Sequence, residues 1–478
     1  MIPMRRLFIF SALVCLCAAL ALAQSRGGNW PTSGGDAQRS GWEGADPRIS
    51  KDTVKDLQLL FKLKLESQAK GTRPLLPPVI MGRLISYRGF RELAFVGSNA
   101  DIVYAVDADL GTIFWQKHLE YSTREPQVTA STPDCPGGMT ATPTMSVPPG
   151  AAAPRGGGAP APAASFIAGT ASVYAISSDG RLHRLNVSTG DDIVQPVQVV
   201  PANSRTSNLM MVNSTIYTVT SPACNLTKNA VWAIDLSVDP PRVTSYALST
   251  GEVAGTAGPV IGNDGTVYVQ TSARLLALNA GDLTLRKEFD PENKFSYDGL
   301  NPMPPLVFQY KGREMIVFAR KDGRLTVQDV NAGATSILET PLTISGGLST
   351  WQDADGTRWV LVPVWGRNGS APNGSISAFK VEEQAGKTVL TPAWVSRDMI
   401  SPLPPVIASG VVFALSAGNG STRATLYALD AATGKELYSS RNLITAPASL
   451  AGMTISNGRV YFSTLDGTMY AFGMFMEH

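Results

Sequence analysis

Short apolar runs with alternating polar positions recur along the chain, each closed by a cluster of Asp, Asn, Thr or Gly. The clearest copy is "YALDAATGKELY" (427–438). Tyr427 and Leu429 alternate as on a half-buried strand, and Asp430, Thr433 and Gly434 supply a turn before the next strand begins. Weaker copies are "YAVDADLGTIFW" (104–115), "HRLNVSTGDDIV" (183–194), "WAIDLSVDPPRV" (232–243) and "LALNAGDLTLRK" (276–287). Further on come "TVQDVNAGATSI" (326–337), "SAFKVEEQAGKT" (377–388) and "YAFG" (470–473). The fourth position of each unit is Asp107, Asn186, Asp235, Asn279, Asp329, Lys380, Asp430 and Gly473, at intervals of 79, 49, 44, 50, 51, 50 and 43 residues.

Other signals keep the same phase. Asp-Gly pairs at 179–180, 264–265, 322–323, 355–356 and 466–467 lie between apolar runs, a strong hairpin signal. Segments such as "LLPPVIMG", "AGPVIG", "MPPLVF" and "LPPVIA" read as strands with Pro near the start, where no ladder donor is lost. Each unit therefore predicts four short strands, and a period near fifty residues predicts propeller blades. The expected fold is all-β: an eight-bladed β-propeller of four-stranded antiparallel blades. The last unit ends too soon to provide a fourth strand, and "LQLLFKLKL" (57–65) is placed to complete it and close the ring. The long first interval holds "PPGAAAPRGGGAPAPAA" (148–164), which reads as a flexible loop within one blade.

Residues 1–23 read as a signal peptide: Arg5 and Arg6, then an apolar core, then "ALA" before Gln24. The run is short for a membrane span, so the mature chain, 24–478, is expected to be exported, with no span of its own. Net charge is +2 with both signs interspersed, so nothing points to nucleic acid or an anionic membrane surface, and no nucleic-acid partner is expected. With three histidines, one of them C-terminal, no haem attachment motif or histidine-based zinc site can be drawn, and no metal ligand is assigned. After cleavage only Cys135 and Cys224 remain; in an oxidising compartment two cysteines most simply form one disulfide.

The blade-end units resemble the A-x-D-x-x-T-G-K-x-x-W pattern of the quinoprotein family, the eight-bladed propellers of pyrroloquinoline quinone (PQQ) dehydrogenases and their non-catalytic relatives. The segment "NWPTSGGDAQRSGWEGADPRISKDTVKDLQLLFKL" resembles the family's N-terminal lead-in. The resemblance implies PQQ and calcium over the central channel, an Asp base and a basic residue at the quinone oxygens. "FSYDG" (295–299) is the nearest match to the base motif, so Asp298 is either the base or part of an Asp-Gly turn. "FARKDGRLTVQD" places Lys321 at the quinone-contacting position, either polarising an oxyanion or sitting exposed on a hairpin. Arg320, Lys321 and Lys228 together could face a tricarboxylate.

The calcium ligands and the aromatic floor depart from the family pattern. Cys224 stands where the family has a ligating Glu, and Ala257 stands near the position of the floor Trp. Mapped on the family, Cys135 and Cys224 fall on one face of adjacent blades, which implies a bridge between them. The Trp residues of "STWQDADGTRWVLVPVWG" (349–366) are expected to pack between blades.

Two functions from different classes remain open. One is a non-catalytic binding or scaffolding propeller, holding a protein partner or small-molecule ligand at the channel mouth, as relatives that help assemble outer-membrane proteins do. The other is a PQQ-dependent dehydrogenase oxidising an alcohol or sugar. The departures favour the first. Non-reducing mass spectrometry should return a Cys135–Cys224 peptide; two free thiols would refute the blade placement of Cys224.

Overall fold

The computed structural model describes residues 28–44, 46–68, 71–86, 89–119, 138–145, 166–167, 171–221, 229–248, 258–271, 274–289, 304–319, 323–333, 335–338 and 342–474. The signal segment 1–23 and the loop 148–164 lie outside these residues. The described chain folds into eight small sheets built of antiparallel hairpins, and its one helical element is a single 3₁₀ turn, Thr53–Asp56. In chain order the blades cover 79–118, 172–198, 205–247, 260–289, 306–338, 349–395, 406–439 and 454–473.

The cores lie between blades. Six hydrophobic clusters each fill one seam between consecutive blades, from first–second through sixth–seventh. A seventh and larger cluster runs through the seventh, eighth and first blades, so the series returns to its start. Period-two alternation explains this two-sided burial. In Thr425–Asp430, Leu426 and Ala428 enter the seam toward the eighth blade, whereas Tyr427 and Leu429 enter the seam toward the sixth. The strand that reads as half-buried is thus buried on both faces, because a propeller covers each blade twice. Trp351 and Trp359 stack with ring centroids 5.9 Å apart in the sixth–seventh seam, the place expected of them.

The eighth blade takes its fourth strand from the other end of the chain. Gln58–Lys64 pairs antiparallel with Thr468–Gly473, from Gln58 opposite Gly473 to Lys64 opposite Thr468. Among the described residues not every blade has four strands. The second has three, Ser172–Ile176, Arg181–Asn186 and Val197–Gln198, and its innermost place is reduced to a bridge from Thr144 to Tyr174. Pro143 beside that bridge has no ladder donor to extend it. In the third blade Arg205–Thr206 and Met210–Val212 share the inner edge of Thr215–Ser221. Two blades gain a parallel two-residue strand: Trp42–Glu43 on Ile407–Ala408, and Phe166–Ile167 on Leu84–Ile85.

The recurrent Asp or Asn has a structural role in its turn. Its Oδ1 accepts backbone N–H groups two or three residues on: Asp109 and Leu110 for Asp107, Ser188 for Asn186, Asn331 and Ala332 for Asp329, Ala432 and Thr433 for Asp430. Four residues on, a glycine at positive φ returns its N–H to the same residue's carbonyl, at Gly111, Gly190, Gly333 and Gly434.

Three of these glycines support an aromatic ring from the preceding blade. Trp115 of the first blade lies on Gly190 of the second and donates Nε1–H to Val187 O at 2.8 Å. Trp394 of the sixth lies on Gly434 of the seventh and donates to Ala431 O at 3.1 Å. Phe61, on the closing strand of the eighth, lies on Gly111 of the first. A Cβ at Gly190 would stand 2.6 Å from the Trp115 ring, so the contact requires glycine.

Gly190→Ala should therefore cost clearly more than Gly386→Ala, where φ is also positive but nothing lies within 4 Å of the added methyl. The latter isolates backbone strain of about 1 kcal/mol. Trp115→Ala should cost about 3 kcal/mol. Urea unfolding measures all three, and equal losses for the two glycine variants would remove the ring-on-glycine contact from the account.

Candidate functional site: the axial channel

Each blade starts with its innermost strand, so the eight inner strands surround an axis. We use "upper" for the face where inner strands begin and where second strands turn to third strands. The opposite, lower face carries the turns that end the inner strands.

Residues 28–46 occupy the axis, visiting the blades in order. Gly28 N–H donates to Asn457 Oδ1 of the eighth blade at 2.9 Å, and Trp30 bridges Ile80 of the first. Pro31 O accepts from Met145 N before the second, and Thr32 Oγ1 donates to Leu209 O before the third. Ala37 O accepts from Ile261 N of the fourth, Ser40 O from Thr350 N of the sixth and Gly41 O from Ile407 N of the seventh, each at 2.8 or 2.9 Å. Asp46 then returns to the eighth blade, accepting from Gly458 N. The chain can bend this tightly because Gly34, Gly35 and Gly41 take positive φ, and Gly35 lies against the Trp30 ring with no room for a side chain.

Arg39 fastens this circuit. Its Nε donates to Pro259 O at 3.0 Å, Nη1 to Ser33 O at 2.6 Å and Nη2 to Asn208 O at 3.1 Å. Burial lowers its pKa to about 9, with Asp36 acting against the shift. Asp36 is pushed up to about 6 by burial, although Ser40 donates to it from both N and Oγ. Arg358 of the sixth blade, also buried, lies between the rings of Trp42 and Phe308 at 5.6 and 5.7 Å. The circuit thus gives the upper part of the channel a floor. Trp30 Nε1, Gln38 Oε1 and Thr142 Oγ1 are buried around it without a hydrogen-bond partner.

At the upper mouth the chain places two arginines. Arg73 immediately precedes the residues that pair with the end of the first blade's second strand, where Asn99 N donates to Pro74 O and Leu76 N to Gly97 O. Arg205 occupies the corresponding place in the third blade. The second blade lies between these strands in chain order, and Arg73 senses the charge of Arg205. Burial, then the like charge of Arg205, lowers the Arg73 pKa to about 10, which leaves it cationic at neutral pH. Arg73 Nη2 is shut from solvent and has no hydrogen-bond partner.

A second buried charge cluster lies at the seam where the ring closes. Glu92 of the first blade accepts from Asn457 Nδ2 at 2.8 Å, Arg459 Nη1 at 3.0 Å and Tyr461 OH at 3.0 Å, all from the eighth. The fourth–fifth seam repeats the device: Glu314 accepts from Tyr268 OH at 3.1 Å and Asn263 N at 2.8 Å. Arg459 also serves Asp109, so one cation faces two carboxylates. Burial first, with Asp109 adding to it, raises Glu92 to about 7.

Asp298, Lys321, Arg320, Lys228, Cys135 and Cys224 all lie outside the described residues, as does Ala257. Among the described residues no group of three His, Cys, Asp or Glu is placed to hold a metal. Sequence reasoning did not single out Arg73, Arg205, Arg39 or Glu92. The available signal was a charge inside an otherwise apolar strand start, "TRPLLPPV" (72–79).

The chain has the fold of quinoprotein dehydrogenases. A family model described as outer membrane protein assembly factor BamB matches residues 372–473. The quinohemoprotein alcohol dehydrogenase of Comamonas testosteroni superposes with a TM-score of 0.59 at 16% identity, over 97% of this chain and 84% of that one. The quinohemoprotein alcohol dehydrogenase ADHIIG of Pseudomonas putida HK5 gives 0.59 at 14% identity, over 94% and 80%. A europium-containing methanol dehydrogenase gives 0.58 at 13% identity, over 95% and 99%. No curated protein matches. The protein is an eight-bladed β-propeller with the fold of these dehydrogenases, and its C-terminal blades carry the matched repeat.

Asp36 and Glu92 bind protons more tightly folded than unfolded, so their contribution is complete below their ordinary values of 3.8 and 4.5. It is lost as pH rises through about 6 and about 7. The thermal midpoint should therefore fall between pH 5 and pH 8, and Glu92→Gln, which cannot ionise, should flatten the slope. An unchanged slope in that variant would mean that Glu92 stays ionised throughout.

Proposed function

We propose that the chain, 24–478 after removal of 1–23, is an exported binding propeller that seats a small-molecule ligand or protein partner at its upper mouth. The observation that carries this reading is the floor that residues 28–46 lay across the axis, with Trp30 Nε1, Gln38 Oε1 and Thr142 Oγ1 buried along it without a hydrogen-bond partner. The departures at Cys224 and Ala257 support a binding role over quinone chemistry. No helix among the described residues is long and apolar enough to cross a membrane.

A second reading, a PQQ-dependent dehydrogenase acting on an alcohol or sugar, draws on the fold likeness. PQQ would supply a two-electron quinone oxidant. The Arg73 guanidinium suits one of its carboxylates, and the base and quinone contact would be Asp298 and Lys321, with Arg320 and Lys228 nearby. Purified protein titrated with PQQ and calcium separates the two readings. The binding reading expects no dye reduction with simple alcohols, whether or not tryptophan fluorescence is quenched. Saturable quenching with turnover would establish the dehydrogenase.

A further inference from the structure

We propose that a cleft on the lower face, between the fifth and sixth blades, is a saccharide-binding site in which Lys380 and Asp355 hold the hydroxyls of a neutral sugar. It lies on the face opposite the upper mouth and goes beyond the binding reading above.

The cleft exists because one unit breaks the repeat. In the first, third, fifth and seventh blades the third strand ends at the turn Asp, at Asp107, Asp235, Asp329 and Asp430. In the sixth that position is Lys380, which has no carboxylate to accept the N–H groups of a turn. The strand runs on as Gly374–Gln384, turns through Ala385 and Gly386, both at positive φ, and returns as Lys387–Val395. The resulting arm reaches the fifth blade, where Glu383 accepts from Lys311 Nζ at 2.8 Å and from Arg313 Nη2. Between the arm and the turns that end the fifth and sixth inner strands lies a cavity of about 420 Å³, a size suited to a small ligand.

The lining selects the ligand. Gln309, Gln352, Asp355, Thr357, Lys380 and Glu382 line the cleft, and Val381 is its one aliphatic side chain, so a lipid-like body would find little to cover it. Lys380 Nζ lies over the Trp359 ring at 5.2 Å and Lys311 Nζ over Tyr310 at 5.3 Å, so an organic cation would find an ammonium already on each ring. Asp355 and Glu382 repel an inorganic anion. Lys380 repels a metal ion, and among the described residues no three ligands are grouped to hold one. Neither Lys380 nor Asp355 has an ion-pair partner among the described residues. A neutral polyol suits this mixture, because each hydroxyl can donate to a carboxylate or accept from an ammonium, and hydrogen bonds to charged groups are the stronger ones. Gln352 Nε2 donates to Gly356 O at 2.9 Å and its Oε1 accepts from Arg358 Nη2 at 3.4 Å, which holds the amide in place at the cleft wall.

The test is isothermal titration of the full-length mature protein with D-glucose, maltose, N-acetylglucosamine, L-alanine and inorganic phosphate, repeated on Asp355→Ala, Lys380→Ala and Arg423→Gln. Arg423 is an exposed residue of the seventh blade and serves as the control for a charge removed outside the cleft. The expected result is one saturable site for a saccharide, weakened roughly tenfold in Asp355→Ala and in Lys380→Ala and unchanged in Arg423→Gln. Thermal midpoints of the variants establish that each is folded.

The proposal is overturned if no saccharide saturates the wild type, or if alanine or phosphate binds in its place. Saccharide binding that neither cleft variant weakens would place the sugar elsewhere, the channel included, and would overturn it too. Each of these outcomes leaves the reading of the upper mouth as it stands. Conversely, turnover with PQQ would end that reading while the cleft variants still report on the lower face.

Discussion

The structure depends on the contact of an aromatic ring with a bare glycine α-carbon in the next blade. Gly111, Gly190 and Gly434 each occupy the same place in their turn, four residues after an Asp or Asn that holds the turn shut. Each carries Phe61, Trp115 or Trp394 from the blade before. The contact fixes the spacing at three of the eight seams: first–second, sixth–seventh and eighth–first. The turn residues and the seam are therefore one constraint: the Asp shapes the turn, the turn presents the glycine, and the glycine admits the ring.

Closure adds a second demand, met by the chain's own beginning. The stretch from residue 28 to 64 first runs round the axis, touching inner strands in blade order, and then leaves to pair with Thr468–Gly473 as the outermost strand of the last blade. One continuous segment thus holds the ring at its centre and at its rim. The Glu92–Arg459 cluster lies at this same last-to-first seam, where covalent continuity between neighbouring blades is missing. A buried ionic cluster gives directional contacts that apolar packing lacks. The cost is a carboxylate whose charge depends on neutral-range pH.

What was legible in the sequence was local and repeated. Asp107, Asp329 and Asp430 could be aligned because an Asx turn needs only residues a few positions apart, and Val79, Leu306 and Val406 follow Pro as inner strands should. The closing strand could be placed from its alternation and from the truncated last unit. Two-sided burial was not visible in Tyr427 and Leu429 alone, because period two says which residues share a face and not how many faces are covered. The axial circuit was hidden for a different reason: residues 28–46 have no period, and their contacts lie hundreds of positions away, as with Gly28 and Asn457. The residues assigned by resemblance, Asp298 and Lys321 among them, lie outside the described residues.

The central claim is that the N-terminal segment is as integral to the ring as any blade. Native-state hydrogen exchange measures this most directly. Amides of residues 58–64 and of their partners 468–473 should exchange with an opening free energy within about 1 kcal/mol of the strands in the fourth blade, all at the global limit. Exchange of 58–64 at the rate of a frayed terminus, while the other blades remain protected, would contradict it.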